Sequence, residues 1–354
     1  MINRRQILSA AALPVIASAS PFAMAQQRKI AVSGSGGVVA DLNKAVYYGP
    51  YTTATGVVIE HFATEQQRMA QLEAMVRAGR TTWDAMEVSG SDYPVGVKKG
   101  LLEKIDYSKV DPNGVLPAMA RQPYGVGVAT YSEVLVVRKD RLPAGKSMTS
   151  WAQFWDGKTF PGPRSLSARP QGNLEFALIA DGVALGKIYE VLGSKDGVKR
   201  AFAKLDQIKP LIAKFWKSGA ESVQLLTSGE AVFGSTFNGR VGALQAGGIP
   251  VEAVWNGGAL HTSFIGIPKG APNKADALDF IRFRTTDPVP MRQYIAKVPY
   301  PGFAPNLTDG MPEEAARSLP THPANLAVQF ASDETFWAGN LDAIQESWNE
   351  WMLK

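Results

Sequence analysis

The stretch Lys29-Ile30-Ala31-Val32-Ser33-Gly34-Ser35-Gly36-Gly37-Val38-Val39 carries the reading of the fold. Residues 29–32 are a short apolar run of β type, residues 33–37 are the kind that turn a chain, and a helical pattern starts at about Val38. The same alternation continues. Residues 57–62 read as a strand, and residues 66–78 put Met69, Leu72, Met75 and Val76 on one helical face before the stop signal Gly79. Residues 83–88 form a third predicted strand, running into Ser89-Gly90-Ser91-Asp92. This order predicts a βαβαβ unit whose loops gather at the carboxyl ends of its strands, where open α/β sheets bind ligands. Tyr47 and Tyr48 fall inside the first predicted helix. Such a doublet also suits ferric binding, but rings on a helix are expected to pack.

Further along, residues 131–138 are strongly β-like, and a Pro/Ser/Arg-rich loop at 161–170 precedes a helix at about 173–181. Residues 199–207 and 223–228 look helical, 231–237 is a strand, and Asn238-Gly239-Arg240 opens a helix ending at Gly247-Gly248. Residues 251–254 and 263–267 are two more predicted strands. Residues 276–284 form an amphipathic helix with Ala277, Phe280, Ile281 and Phe283 on its apolar side. The last predicted helix, 334–352, repeats Trp337, Leu341, Ile344, Trp348 and Met352 at helical spacing. A chain of 354 residues exceeds the roughly 250–300 that one core organises, so two α/β lobes are expected. The 45% hydrophobic content is enough to fill them and excludes disorder for most of the chain.

Several chemistries are excluded. With no cysteine there is no disulfide, thiol nucleophile, iron–sulfur cluster or lipid-bearing thiol. His61, His261 and His322 are too far apart in sequence for an HExxH-type metal site. The net charge of +5 is spread along the chain without a basic stripe, so no nucleic-acid partner is expected. Val39 stands where a dinucleotide fingerprint needs its third glycine, and Asp140 where a phosphate loop ending Gly145-Lys146-Ser147 needs its first. There is no G-x-S-x-G elbow. No cofactor, metal or catalytic residue is expected. An enzyme would need a nucleophile–base pair or a metal cluster in its cleft.

The amino terminus reads as an export signal. Arg4 and Arg5 precede an apolar, small-residue run at 7–21, and Ala23-Met24-Ala25 fits an A-x-A cleavage site, so residues 1–25 are expected to be removed after Ala25. The run is broken by Pro14 and is short of the ~20 residues a membrane span needs. Asn3-Arg4-Arg5-Gln6-Ile7-Leu8 fits both a twin-arginine signal and an ordinary secretory one. Removing two arginines and no acid takes the charge from +5 to +3. A periplasmic, untethered monomer is expected.

Several segments together resemble a known family. They are Asp84-Ala85-Met86-Glu87-Val88-Ser89 with Gly100-Leu101-Leu102-Glu103-Lys104-Ile105-Asp106, then residues 124–131, then Thr149-Ser150-Trp151-Ala152-Gln153-Phe154-Trp155. Ser228-Gly229-Glu230-Ala231 through Phe237-Asn238-Gly239-Arg240, Ile267-Pro268-Lys269-Gly270-Ala271 with residues 273–278, and Val298-Pro299-Tyr300-Pro301 complete the set. In this order they resemble the bacterial periplasmic solute-binding proteins of ABC importers, specifically the spermidine/putrescine-binding branch. The resemblance implies a two-lobe periplasmic-binding-protein fold of type II, each lobe a mixed sheet flanked by helices, with the ligand cleft at the hinge. It places lobe 1 at 26–128 plus 261–299 and lobe 2 at 129–260 plus 300–354. The implied function is capture of a small polar solute by hinge closure and delivery to an inner-membrane permease.

Carried over residue by residue, the polyamine site changes sign. Phe237, followed by Asn238, keeps an aromatic ring, and Tyr300 matches a family tyrosine. His261-Thr262-Ser263 puts Ser263 where a carboxylate is expected, and Arg169 and Gly172 stand in place of an acidic pair. The substitution implies an acid-poor cleft and a ligand bearing a carboxylate, an ω-amino acid or organic acid, with polyamine binding as the alternative. Arg169 and Arg240 are candidate carboxylate forks. Ser35, Gly36 and Gly37 are a candidate anion cradle at a helix start. Ser89, Ser91 and Asp92 offer polar groups for an amine or hydroxyl. Structural roles stand beside these: a structural acid for Arg240, solvent for Arg169, a tight turn for the glycines, and wall packing for His261, Phe237 and Tyr300.

Overall fold

The computed structural model describes residues 27–64 and 67–354, so the expected export signal lies outside it. Strands β1 (Lys29–Gly34), β2 (Val58–Ala63) and β3 (Ala85–Val88) are parallel, with β1 central, and confirm the βαβαβ unit. Between β1 and β2 the helices Gly37–Asn43 and Gly49–Thr55 are joined head to tail through a π-type turn at Lys44–Tyr48. Tyr47 and Tyr48 are buried there, as packing residues should be. The remaining strands are β4 (Arg121–Gln122), β5 (Gly125–Arg138), β6 (Arg164–Ser167), β7 (Ile212–Trp216), β8 (Phe233–Phe237), β9 (Val251–Gly266) and β10 (Phe330–Ala331). All ten form one mixed sheet in the order β2-β1-β3-β9-β5-β8-β6-β7, with β10 beside β9 and β4 beside β5.

Two long antiparallel strands, β5 of 14 residues and β9 of 16, run through both halves of the sheet. One end of β9 pairs with β3, and the far end of β5 pairs with β8. The sequence suggests two strands where β9 is one, because Asn256-Gly257-Gly258 looks like a break. Gly257 instead takes φ +74° within the strand, a backbone position open mainly to glycine. A β-carbon there would lie 2.8 Å from Trp151, whose indole Nε1 donates to the Gly257 carbonyl at 2.9 Å. Strand β6 lies inside the stretch expected to be a loop. It lacks an apolar pattern because Arg164 is fully buried there, its guanidinium donating to the carbonyls of Phe154 at 2.8 Å and Phe160 at 2.6 Å.

Helices cover both faces of each half. Ile30, Val32, Tyr51, Val126, Phe280 and Met291 belong to one core, and Leu72, Trp83, Met86 and Leu102 pack on the opposite face. In the other half Leu135, Trp151, Phe176, Phe233 and Trp348 form the larger core, with Val134, Val136, Leu226 and Val241 behind it. The long helix Glu334–Leu353 buries Trp337, Ile344, Trp348 and Trp351. One boundary moves. Residues from Tyr300 onward are expected in the second lobe, yet Phe303, Leu307, Met311 and Leu319 pack in the first core. Packing against the second core resumes only at Phe330.

Candidate functional site

The loops after β1 and β3, the middle of β5 and β9, and the end of β8 converge on a cavity of about 340 Å³. Ser35 follows β1, Glu87 and Val88 end β3 and Ser89 follows it, and Val128, Ala129 and Tyr131 come from β5. Ser263 comes from β9 and Phe237 from β8, while Val39, Arg68, Arg284, Tyr294 and Tyr300 complete the wall.

Its polar end is built from a triad of buried Arg284 and half-buried Glu87 and Arg68. Arg284, near the end of the helix Lys274–Thr286, donates from Nη2 to Glu87 Oε1 at 2.5 Å and lies over the Tyr47 ring, 5.2 Å from its centre. Arg68 donates from Nη1 to the Glu87 carbonyl at 2.8 Å and from Nε to Thr64 Oγ1 at 3.3 Å. Glu87 Oε2 accepts from the Ser35 amide at 3.2 Å. Burial alone would lift the Glu87 carboxyl, but the Arg284 guanidinium, with Arg68 beyond it, holds it below the usual carboxylate range. Three guanidinium nitrogens, Arg68 Nη2 and Arg284 Nε and Nη1, are buried with no hydrogen-bond partner. Buried donors are rarely left so. His61 braces the Ser35 loop, Nε2 donating to the Ser35 carbonyl at 3.0 Å and Nδ1 meeting the Tyr48 hydroxyl at 3.2 Å.

Tyr131 is the hub of the aromatic wall. Its ring centre lies 5.6 Å from Phe237, 5.8 Å from Tyr300 and 5.1 Å from His261, on which it stacks. Beyond Tyr131 and Phe237 is a smaller polar chamber of about 70 Å³, lined also by Ser91, Glu133, Arg169, Gln171, His261, Ser332 and Glu334. His261 Nδ1 and Glu334 Oε1 are 3.1 Å apart. Burial opposes the Glu334 charge, yet the His261 contact and Arg169 keep its carboxyl below the usual range. Burial dominates at Glu133 and pushes its carboxyl up, against weaker opposing effects of Ser235, Arg169 and His261.

Of the residues singled out from sequence, Ser35, Ser89, Phe237, Ser263 and Tyr300 line the larger chamber, and Ser91, Arg169, His261 and again Phe237 the smaller. The others lie outside both linings. Gly36 and Gly37 open the helix after β1. Asp92 begins the helix Asp92–Lys98 and accepts from the Ser89 hydroxyl at 2.8 Å. Asn238 is a clamp, accepting from the Ser132 amide at 2.9 Å and donating to the Pro299 carbonyl at 3.0 Å. Arg240 is exposed and lies against Gly219, where a β-carbon would be 2.8 Å from its Nε.

The acid-poor cleft is corrected, since Glu87, Glu133 and Glu334 all line the two chambers. These acids, with Arg68, Arg284, Tyr131 and Tyr294, were missed as site residues. Glu87 had a usable signal, the carboxyl end of a predicted strand. Arg284 and Glu334 reach the site only through tertiary packing. Among the described residues no group of three or more His, Asp or Glu side chains is placed to hold a metal ion, and none of their helices is long and apolar enough to cross a membrane.

The family model described as bacterial extracellular solute-binding protein matches residues 47–323. The gamma-aminobutyric acid-binding protein of Pseudomonas aeruginosa is 34% identical over 335 residues, covering 94% of this chain and 93% of that protein. An ABC transporter substrate-binding protein from Bradyrhizobium japonicum superposes with a TM-score of 0.82 at 33% identity, covering 92% of this chain and 99% of its own. The Atu4243 GABA receptor does so with a TM-score of 0.81 at 33% identity, covering 92% and 97%.

Proposed function

Since this chain belongs to the bacterial extracellular solute-binding proteins and is the substrate-binding component of an ABC transporter, we propose that its own solute is a small molecule bearing a carboxylate, an ω-amino acid or a related organic acid. The observation that carries this reading is the set of three buried, unpartnered guanidinium nitrogens on Arg68 and Arg284 beside the 340 Å³ cavity. A carboxylate supplies the planar acceptor pair that such donors lack, in charge-assisted bonds stronger than neutral ones. The names of two relatives, both tied to gamma-aminobutyric acid, point the same way. A polyamine would set one ammonium group against these guanidiniums, which disfavours the putrescine reading.

The protein works by binding rather than by chemistry on its solute. The lobes close on the solute because the closed state binds it more tightly, and a membrane permease recognises closure. We place the mature protein in the periplasm as a monomer, cleaved after Ala25. Calorimetric titration with 4-aminobutyrate, succinate and putrescine tests the solute class. Binding of a carboxylated compound and not of putrescine is the expected result; binding of putrescine alone would overturn the reading.

A further inference from the structure

The two chambers differ in their ionisable side chains. The larger is lined by Arg68, Arg284 and Glu87, one positive charge in excess. The smaller is lined by one arginine, Arg169, and two carboxyl side chains, Glu133 and Glu334. Tyr131 and Phe237 line both and stand between them. Glu334 is engaged by His261 at 3.1 Å. Glu133 is not: the residue is only 3% exposed, its Oε1 is buried without a hydrogen-bond partner, and the nearby Ser235 hydroxyl is unpartnered too. The backbone leaves its other oxygen room, because Gly172 takes φ +80° and a β-carbon there would approach Glu133 Oε2 to 3.2 Å.

We propose that Glu133 is an ammonium subsite, which receives the amino group of an ω-amino acid whose carboxylate lies against Arg68 and Arg284 in the larger chamber. Burial without a partner makes the charged form of this carboxyl group costly, and an ammonium group is the cation that offsets that cost while donating to it. The methylenes between the two ends pass Tyr131 and Phe237, whose ring faces suit both the alkyl chain and the ammonium group. The charge pattern selects within the solute class. A dicarboxylate puts an anion against the two carboxyl side chains, and a diamine puts a cation in the positive chamber. An α-amino acid carries both charges on one carbon and cannot divide them between the chambers. An ω-amino acid satisfies both ends.

This assignment rests on the carboxylate reading, and the test separates the two. Calorimetric titrations of the full mature protein and of Glu133→Gln with 4-aminobutyrate and with butyrate read the amino group alone. Hydrogen bonds between charged groups contribute on the order of 1.5–3 kcal/mol, so the unmodified protein is expected to prefer 4-aminobutyrate by roughly 10–150-fold. Glu133→Gln should lose most of that preference while holding butyrate as before. Equal binding of the two compounds by the unmodified protein, a comparison needing no variant, overturns the subsite and leaves the carboxylate reading intact. A Glu133→Gln protein that keeps the full preference overturns it as well, as does one that weakens both compounds alike. Failure of both compounds to bind the unmodified protein overturns the carboxylate reading and the subsite with it.

Discussion

Arg284 Nη2 and Glu87 Oε1 lie 2.5 Å apart, joining a helix of the first lobe to the end of β3 across 197 positions of sequence. The pair does more than fill space. Both side chains are largely buried, 7% and 13% exposed, and their contact fixes the polar end of the ligand cavity before any solute arrives.

Removing one partner strands the other charge. Arg284→Met is therefore expected to destabilise the protein by about 3–5 kcal/mol in urea unfolding, and adding Glu87→Leu should restore much of the loss. Glu87 has a folded pKa below its ordinary 4.5. Its contribution is thus present in full above that value and is lost as pH falls towards the lower folded value. A double variant no more stable than Arg284→Met would contradict a mutual dependence.

Arg68 and Arg169 separate two accounts of carboxylate recognition. Arg68 lines the larger chamber and its Nη2 is buried without a partner, whereas Arg169 lines the smaller one and is exposed. Arg68→Ala should weaken 4-aminobutyrate by about 1.5–3 kcal/mol and Arg169→Ala by clearly less, as read by calorimetry. The reverse order would move the carboxylate to Arg169.

Gly239 sets the position of an aromatic wall. A β-carbon there would stand 2.7 Å from Tyr300 Cζ, so Gly239→Ala must displace this ring of the cavity wall. Affinity is expected to fall at least about tenfold, with thermal stability changed by a few degrees at most. Unchanged affinity would show that Tyr300 does not shape the site.

Glu175 lies in the core of the second lobe, where Oε1 accepts from Trp337 Nε1 at 2.7 Å and Tyr189 Oη at 2.9 Å. Burial pushes its carboxyl up to about 7 from 4.5. A folded value above the unfolded one favours the protonated acid, so stability should fall as pH rises between these values and level off above them. Glu175→Gln keeps an acceptor for both donors and cannot ionise. It should be more stable than the unmodified protein by roughly 1–3 kcal/mol at pH 8 and little different at pH 4, as read by denaturant unfolding. A pH-independent difference would contradict this.

The legible parts of the molecule were those where local pattern and tertiary role agree. The βαβαβ unit shows because β1, β2 and β3 are short apolar runs punctuated by turn residues. The C-terminal helix shows because its tryptophans recur at helical spacing. Strand β6 did not, because its interior arginine is satisfied by carbonyls from elsewhere in the chain. Neither did the continuity of β9, because a glycine inside a strand reads as a break. Within the site, Ser35 and Ser89 were found by their places in loops after strands, and Phe237, Ser263 and Tyr300 through the family resemblance. The charged groups were harder: Arg68, Arg284, Glu133 and Glu334 sit on elements far apart in sequence, and no spacing rule links them. Substitution of aligned acids suggested the sign of the ligand but not that other acids enter the cleft from different strands and helices.

A crystal structure of the mature protein with 4-aminobutyrate tests the central claim most directly. The account predicts the carboxylate within about 2.7–3.1 Å of Arg68 Nη2 and an Arg284 nitrogen, with the chain running past Tyr131 and Phe237. A ligand whose carboxylate lies instead against Arg169, with Arg68 and Arg284 left without it, would contradict the account.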